Sequence, residues 1–122
     1  MSKKILVIED DTDIRETIVY VLEEENYEVL ASDNARILKK INEFNPDLIL
    51  LDNWLTDWVS DANGQQLSKA LKNDPVTSHI PVIIISAVNN IKEIAEAGEA
   101  DGYLKKPFDL TELLNVVKQY TQ

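Results

Sequence analysis

The chain has no cysteine, one histidine and only three glycines in 122 residues. Without cysteine, disulfides and thiolate metal sites are excluded, and a reducing compartment is acceptable. The lone His79 sits in a polar loop before Ile80-Pro81 and is a poor candidate for a metal ligand or phosphate carrier. Three glycines and no phosphate-loop motif leave nothing to cradle a nucleoside triphosphate. Long apolar runs are missing too. Met1-Ser2-Lys3-Lys4 is followed by only four apolar residues before Glu9, too short for a signal-peptide core or a membrane span. The expectation is a soluble cytoplasmic protein with no membrane contact. Basic charge is scarce: 12 Lys and Arg face 22 Asp and Glu, a formal net charge of −10. Residues 1–61 carry 15 acidic and 6 basic side chains, against 7 and 6 in the remainder. Such a surface repels phosphate backbones, so direct nucleic-acid binding is not expected; cations and basic protein faces are favoured. The length suits one domain spanning residues 1–122, with no output domain expected.

What is present is an alternation of short apolar runs with helical spacing. Ile5 to Ile8 is a continuous apolar run, the pattern of a strand buried on both faces. Ile14, Ile18, Val21 and Leu22 then mark one face of a helix, capped by Thr12 or Asp13. Tyr27 to Ala31 reads as a strand. Ile37, Leu38, Ile41 and Phe44 read as a second helix stopped by Asn45-Pro46. Leu48 to Leu51 is a third strand, and Leu67, Ala70 and Leu71 mark a helix ending near Asp74-Pro75. Pro81 to Ser86 is a β-branched fourth strand. Ile91, Ile94 and Ala95 suggest a helix with Gly98 as its left-handed cap. Gly102-Tyr103-Leu104 is a short fifth strand, followed by a helix through Leu110, Leu113, Leu114 and Val117 behind the cap Asp109. The order βαβαβαβαβα implies a parallel sheet with right-handed crossovers and helices on both faces.

In such a sheet the active loops lie at the carboxyl ends of the strands. Those ends carry Glu9-Asp10, Asp52, Ser86 and Lys105-Lys106. Each has an ordinary structural reading: turn former, helix cap, strand-end hydroxyl, surface lysine. Their delivery to one rim by four strands is the stronger signal. Three carboxylates without histidine or cysteine suit a hard cation such as Mg²⁺. A carboxylate can also attack phosphorus to form an acyl phosphate. The charge on the transferring group then needs neutralising by a cation, an ammonium such as Lys106 and a hydroxyl such as Ser86. Asp52, the lone acid at its strand end, is the best nucleophile candidate.

The runs Ile5-Leu6-Val7-Ile8-Glu9-Asp10-Asp11 with Asp13-Ile14-Arg15, Pro46 to Asp52, Pro81 to Ala87 and Asp101 to Phe108 carry a resemblance. Over essentially its whole length the chain resembles the receiver domain of bacterial two-component response regulators. The resemblance implies a flavodoxin-like (βα)5 three-layer sandwich with strand order 2-1-3-4-5. It implies that Asp52 accepts a phosphoryl group from a phosphohistidine on a sensor histidine kinase or a histidine phosphotransfer protein. Glu9, Asp10, Asp52 and the backbone carbonyl of Trp54 would hold Mg²⁺. Ser86, the backbone N–H of Ala87 and Lys106 would bind the phosphoryl group, and Tyr103 would change rotamer with Ser86. The Lys106–Pro107 bond would be cis. Phosphorylation would then reshape the face of the fourth helix, fifth strand and fifth helix for a downstream protein whose identity the sequence does not give. Such a domain is a phosphoacceptor that assists its own phosphoryl transfer and hydrolysis, not an enzyme acting on separate substrates.

Two departures stand out. Glu9 replaces the Asp often found first in the acidic pair. Receivers usually reach a glycine about eight residues after the acceptor, with proline at the fourth position; here Thr56 stands at the proline position and Gly64 comes twelve residues on. About four inserted residues follow, in a stretch from Asn53 to Asn63 holding Trp54 and Trp58. The tryptophans suit a packed local lid or a partner contact. A Mg²⁺-dependent phosphohydrolase is disfavoured because Asp52-Asn53-Trp54-Leu55-Thr56 lacks the second Asp of that class. A receiver-like binding module that signals without phosphorylation is the alternative.

Overall fold

The computed structural model describes residues 2–53 and 63–122. Trp54, Thr56 and Trp58, and with them the proposed lid and the Trp54 ligand, lie outside the described residues. Five parallel strands, β1 (Lys4–Ile8), β2 (Glu28–Ser32), β3 (Leu48–Asp52), β4 (Val82–Ser86) and β5 (Gly102–Lys105), form one sheet in the order 2-1-3-4-5. That is the expected flavodoxin-like order. The helices are α1 (Thr12–Glu24), α2 (Ile41–Phe44), α3 (Gly64–Asn73), α4 (Ile91–Ala97) and α5 (Leu110–Thr121). None of the described helices is long and apolar enough to cross a membrane.

Alternate residues of the central strands feed two separate cores. Ile5, Val7, Leu48, Leu50, Ile83 and Ile85 pack with Ile18 and Leu22 of α1 and with Leu113 and Val117 of α5. Leu6, Ile8, Ile49, Leu51 and Val82 face the other way, toward Ile41 and Leu71. Both faces of β1, β3 and β4 are therefore apolar, which is why their sequences read as unbroken runs.

Three local expectations need correction. The α1 cap is Asp11, whose Oδ1 accepts from the N–H of Ile14 at 3.0 Å, and not Thr12 or Asp13. The second helix is not one α-helix. Residues Ala35–Lys40 form a 3₁₀ stretch that widens into the single turn of α2. Leu38, Ile41 and Phe44 are three apart, the repeat that lines up in a 3₁₀ helix. Asn45, left-handed at φ 54°, then closes it ahead of Pro46. Third, Gly98 is not the left-handed cap: its φ is −83°, and Glu99 takes the left-handed position at φ 56°. The glycine is needed for space. A Cβ at residue 98 would lie 2.9 Å from the backbone oxygen of Gln65, where α4 meets α3. The Glu99 carboxylate in turn accepts from the side-chain amide of Asn73 at 3.0 Å.

Gly98→Ala is therefore expected to lower stability by about 1–3 kcal/mol through overpacking against main chain. Glu99→Gly, at the residue with the unfavourable φ, should change it by less than about 1 kcal/mol. Urea unfolding of the two variants beside the parent checks the contrast; equal losses would refute the packing account of Gly98.

Candidate functional site

Because all five strands are parallel, their carboxyl ends share one rim. Asp52 is the last residue of β3 and pairs in register with Ile85 of β4. Glu9 and Asp10 follow β1, Ser86 ends β4, and Lys106 follows β5. The structure brings Glu9, Asp10 and Asp52 together: one oxygen from each lies within 4.8 Å of the others. Glu9 is wholly buried, Asp52 is 3% exposed and Asp10 is half-buried. Lys106 reaches into this group, with Nζ 2.7 Å from Glu9 Oε1 and 3.5 Å from Asp52 Oδ1. Lys105 turns elsewhere and donates to Asn89 Oδ1 at 2.9 Å. Of the two adjacent lysines only Lys106 is an ion-pair partner of the acids, among the described residues.

The buried Glu9 is held from several directions. Its backbone N–H donates to the Ser32 carbonyl at 3.0 Å, which extends the β1–β2 ladder. Its own carbonyl accepts from Arg15 Nη1 at 2.9 Å, and its Oε2 accepts from the N–H of Asp11 at 3.2 Å. Asp11 is thus spent on the turn and on capping α1, outside the cluster of three acids. Glu9 Oε1 is different. It lies 2.7 Å from the Lys106 ammonium, its one ion-pair partner among the described residues.

Two carboxylates buried beside one ammonium do not ionise together without cost. Burial, then the short Glu9 contact and its like charge, push the Asp52 carboxyl up from 3.8 to about 8; Lys106 pulls it back only in part, and contact with Asp10 adds to the rise. For Lys106, burial is the largest single effect and lowers its pKa. Its contacts with Glu9 and Asp52 together outweigh that burial and raise it above its ordinary 10.5, so it stays an ammonium. The chemistry of the set fits a hard divalent cation. It offers three carboxylates from the ends of two adjacent strands, with one ammonium beside them to offset their charge.

Ser86 is buried, and its Oγ accepts from the N–H of Val88 at 3.3 Å. Its carbonyl accepts from the Lys106 N–H at 2.9 Å, which ties the ends of β4 and β5 together. Ala87 is exposed beside it. Tyr103 stands 43% exposed on β5. The Lys106–Pro107 bond is cis. Sequence reasoning assigned no role to two further residues. Arg15 grips the Glu9 carbonyl, and the only hint was its place in the quoted motif. Asn53, one residue past Asp52, is 1% exposed and bonded to α3. An amide following an apolar strand carries no pattern that would have flagged it.

This fold with this rim is that of a phosphorylation-signalling domain, and the comparisons with known proteins agree. The model of the response regulator receiver domain matches residues 5–118. The phosphate regulon transcriptional regulatory protein PhoB of Klebsiella pneumoniae is 37% identical over 121 residues, covering 97% of this chain and 51% of that protein. The solved receiver domain of NtrX from Brucella abortus is 31% identical with a TM-score of 0.83, covering 96% of this chain and 97% of the other. A CheY-like receiver domain protein from Methanospirillum hungatei JF-1 is 27% identical with a TM-score of 0.83, covering 98% and 93%. The chain belongs to the response regulator receiver domain family, whose standard function is phosphorylation-based signalling in two-component systems. It spans about half the length of the curated relatives it matches.

The raised Asp52 group sets a pH dependence. Its folded pKa lies above its unfolded value, so the folded state holds the proton more tightly between about pH 4 and 8. Without divalent cations, stability from this group falls as pH rises through that window. Asp52→Asn should remove much of that slope and raise the thermal midpoint at pH 8 by roughly 5–10 °C. Melting curves in EDTA at pH 5 and pH 8 test this; an identical slope in the variant would refute the assignment to Asp52.

Proposed function

We propose that Asp52 is the phosphoacceptor of this domain and that Glu9, Asp10 and Asp52 hold Mg²⁺, the donor being a phosphohistidine on a sensor kinase or a histidine phosphotransfer protein in the cytoplasm. The observation that carries this reading is the meeting of three carboxylates with the Lys106 ammonium at one buried rim. In the transfer, an Asp52 oxygen forms a bond to phosphorus while the P–N bond to the donor imidazole breaks. The leaving nitrogen keeps the electron pair. Lys106 supplies positive charge to the transferring group, and Ser86 with the Ala87 N–H supplies hydrogen bonds. When bound, Mg²⁺ neutralises the carboxylates and the phosphoryl oxygens together. The Trp54 carbonyl is retained as a ligand in this reading on the family resemblance alone.

An apolar hollow of about 460 Å³ adjoins the site, lined by Ile14, Thr17, Ile18, Ala87, Pro107 and Phe108. It supports docking of a partner that brings its phosphohistidine to Asp52. On the other side, a dianionic phosphoryl group would draw Ser86 inward and favour burial of the half-exposed Tyr103. That shifts a two-state equilibrium on the α4–β5–α5 face for a downstream protein. The domain in this reading acts on itself, as acceptor and in hydrolysis, and its target is a protein and not nucleic acid.

Incubation with Mg²⁺ and acetyl phosphate should add the mass of one phosphoryl group. The gain should vanish in Asp52→Ala and in EDTA, and Asp10→Ala should weaken Mg²⁺ binding at least about 10-fold. Intact-mass spectrometry reads the first and a Mg²⁺ titration the second. Absence of any mass gain in the parent protein would favour the binding module that signals without phosphorylation.

A further inference from the structure

The end of β3 is anchored to α3 through the main chain and the side chain of one residue, Asn53. The Asn53 N–H donates to the Ile85 carbonyl at 3.0 Å, one step beyond the Asp52–Ile85 pair, which extends the bonding to β4 past the end of β3. Its carbonyl accepts from the Gly64 N–H at 3.0 Å, and its Oδ1 accepts from the Gln65 N–H at 3.0 Å. The first two N–H groups of α3 therefore end on Asn53. The third, Gln66, is served by the ordinary cap Asn63, which also completes a capping box. One capping box is enough to start a helix. The second amide does something else: it locks the helix start onto the strand end. The contact is tight, since a Cβ at residue 64 would lie 2.6 Å from both the Asp52 carbonyl oxygen and Asn53 Cα.

We propose that Asn53 is a positioning residue for phosphoryl transfer, holding the Asp52–Asn53 peptide between β4 and the first turn of α3 and so aiming the Asp52 carboxylate. This rests on Asp52 being the phosphoacceptor. Aspartate is short, so its carboxylate follows its main chain, and the β3 ladder ends at this point. Loss of the Oδ1 anchor leaves the main-chain bond from Gly64 as the one remaining tie, among the described residues, between residue 53 and α3. It also leaves the Gln65 N–H without its acceptor in a part-buried place. A misplacement of about 1 Å at a reacting atom costs up to about 100-fold in rate.

The test compares the parent with Asn53→Ala and Asn53→Asp, using Mg²⁺ and acetyl phosphate at a temperature where each is folded by circular dichroism. Asn53→Ala should lower the maximal rate of Asp52 phosphorylation about 10-fold or more and leave the half-saturating donor concentration within about twofold. Asn53→Asp restores the acceptor oxygen but adds a carboxylate beside the acids, so with saturating Mg²⁺ its rate should fall between those of Asn53→Ala and the parent. If Asn53→Ala does not fold, Asn53→Ser, with a shorter acceptor, should show a several-fold loss. A lowered melting temperature with an unchanged rate in Asn53→Ala, or in Asn53→Ser where Asn53→Ala does not fold, would make Asn53 only a second cap and overturn the proposal. A parent protein that gains no phosphoryl group would instead remove the phosphoacceptor reading, and this inference with it. An equal loss in Asn53→Asp and Asn53→Ala would also overturn it, since the acceptor oxygen would then be irrelevant.

Discussion

Everything at the rim depends on burying two carboxylates, Glu9 and Asp52, beside a single ammonium, that of Lys106. Water is largely excluded there, so the repulsion between the acids is poorly screened and one lysine does not cancel it. The site carries surplus negative charge that only a proton, a cation or a reaction at Asp52 can relieve. The raised Asp52 pKa is that surplus seen as proton affinity. A domain that stores tension at one rim and packs two apolar cores beneath it is built to respond to a change of charge there.

The sheet makes that tension possible. Parallel pairing puts every strand end on one side, and double-sided burial of β1, β3 and β4 gives the rim a rigid base. The helices are then fitted by close main-chain contact at two glycines. Gly64 lets α3 rest on the Asp52–Asn53 peptide, and Gly98 lets the end of α4 rest on Gln65 at the start of α3. Neither glycine has a positive φ. Both serve proximity, and together they connect the end of β3 to α4 through the first turn of α3.

Much of this was legible in the residues. Unbroken apolar runs marked the buried strands, and helical spacing placed α1, α3 and α5. Strand ends then pointed to Glu9, Asp10, Asp52, Ser86 and Lys106 as neighbours. Where reading failed, local rules had competing solutions. Asp11, Thr12 and Asp13 are all good caps, and the turn geometry chose Asp11 because its N–H also meets Glu9. Leu38, Ile41 and Phe44 fit a helix of either pitch. A glycine at a helix end suggests a left-handed cap, and only the packing of α4 on α3 reveals that space was the reason.

The positions of the strands, their burial on both faces and the identity of the rim residues follow from patterns each a few residues long, because periodicity and strand-end position are local properties of a chain; the strand order 2-1-3-4-5 was implied by the family resemblance. That Glu9 meets Lys106 more closely than Asp52 does, and that Asn53 takes hold of α3, were decided by the tertiary structure. These are relations between residues 11 to 97 positions apart. They depend on distances that no stretch of sequence encodes until the sheet has closed and the helices have settled on it.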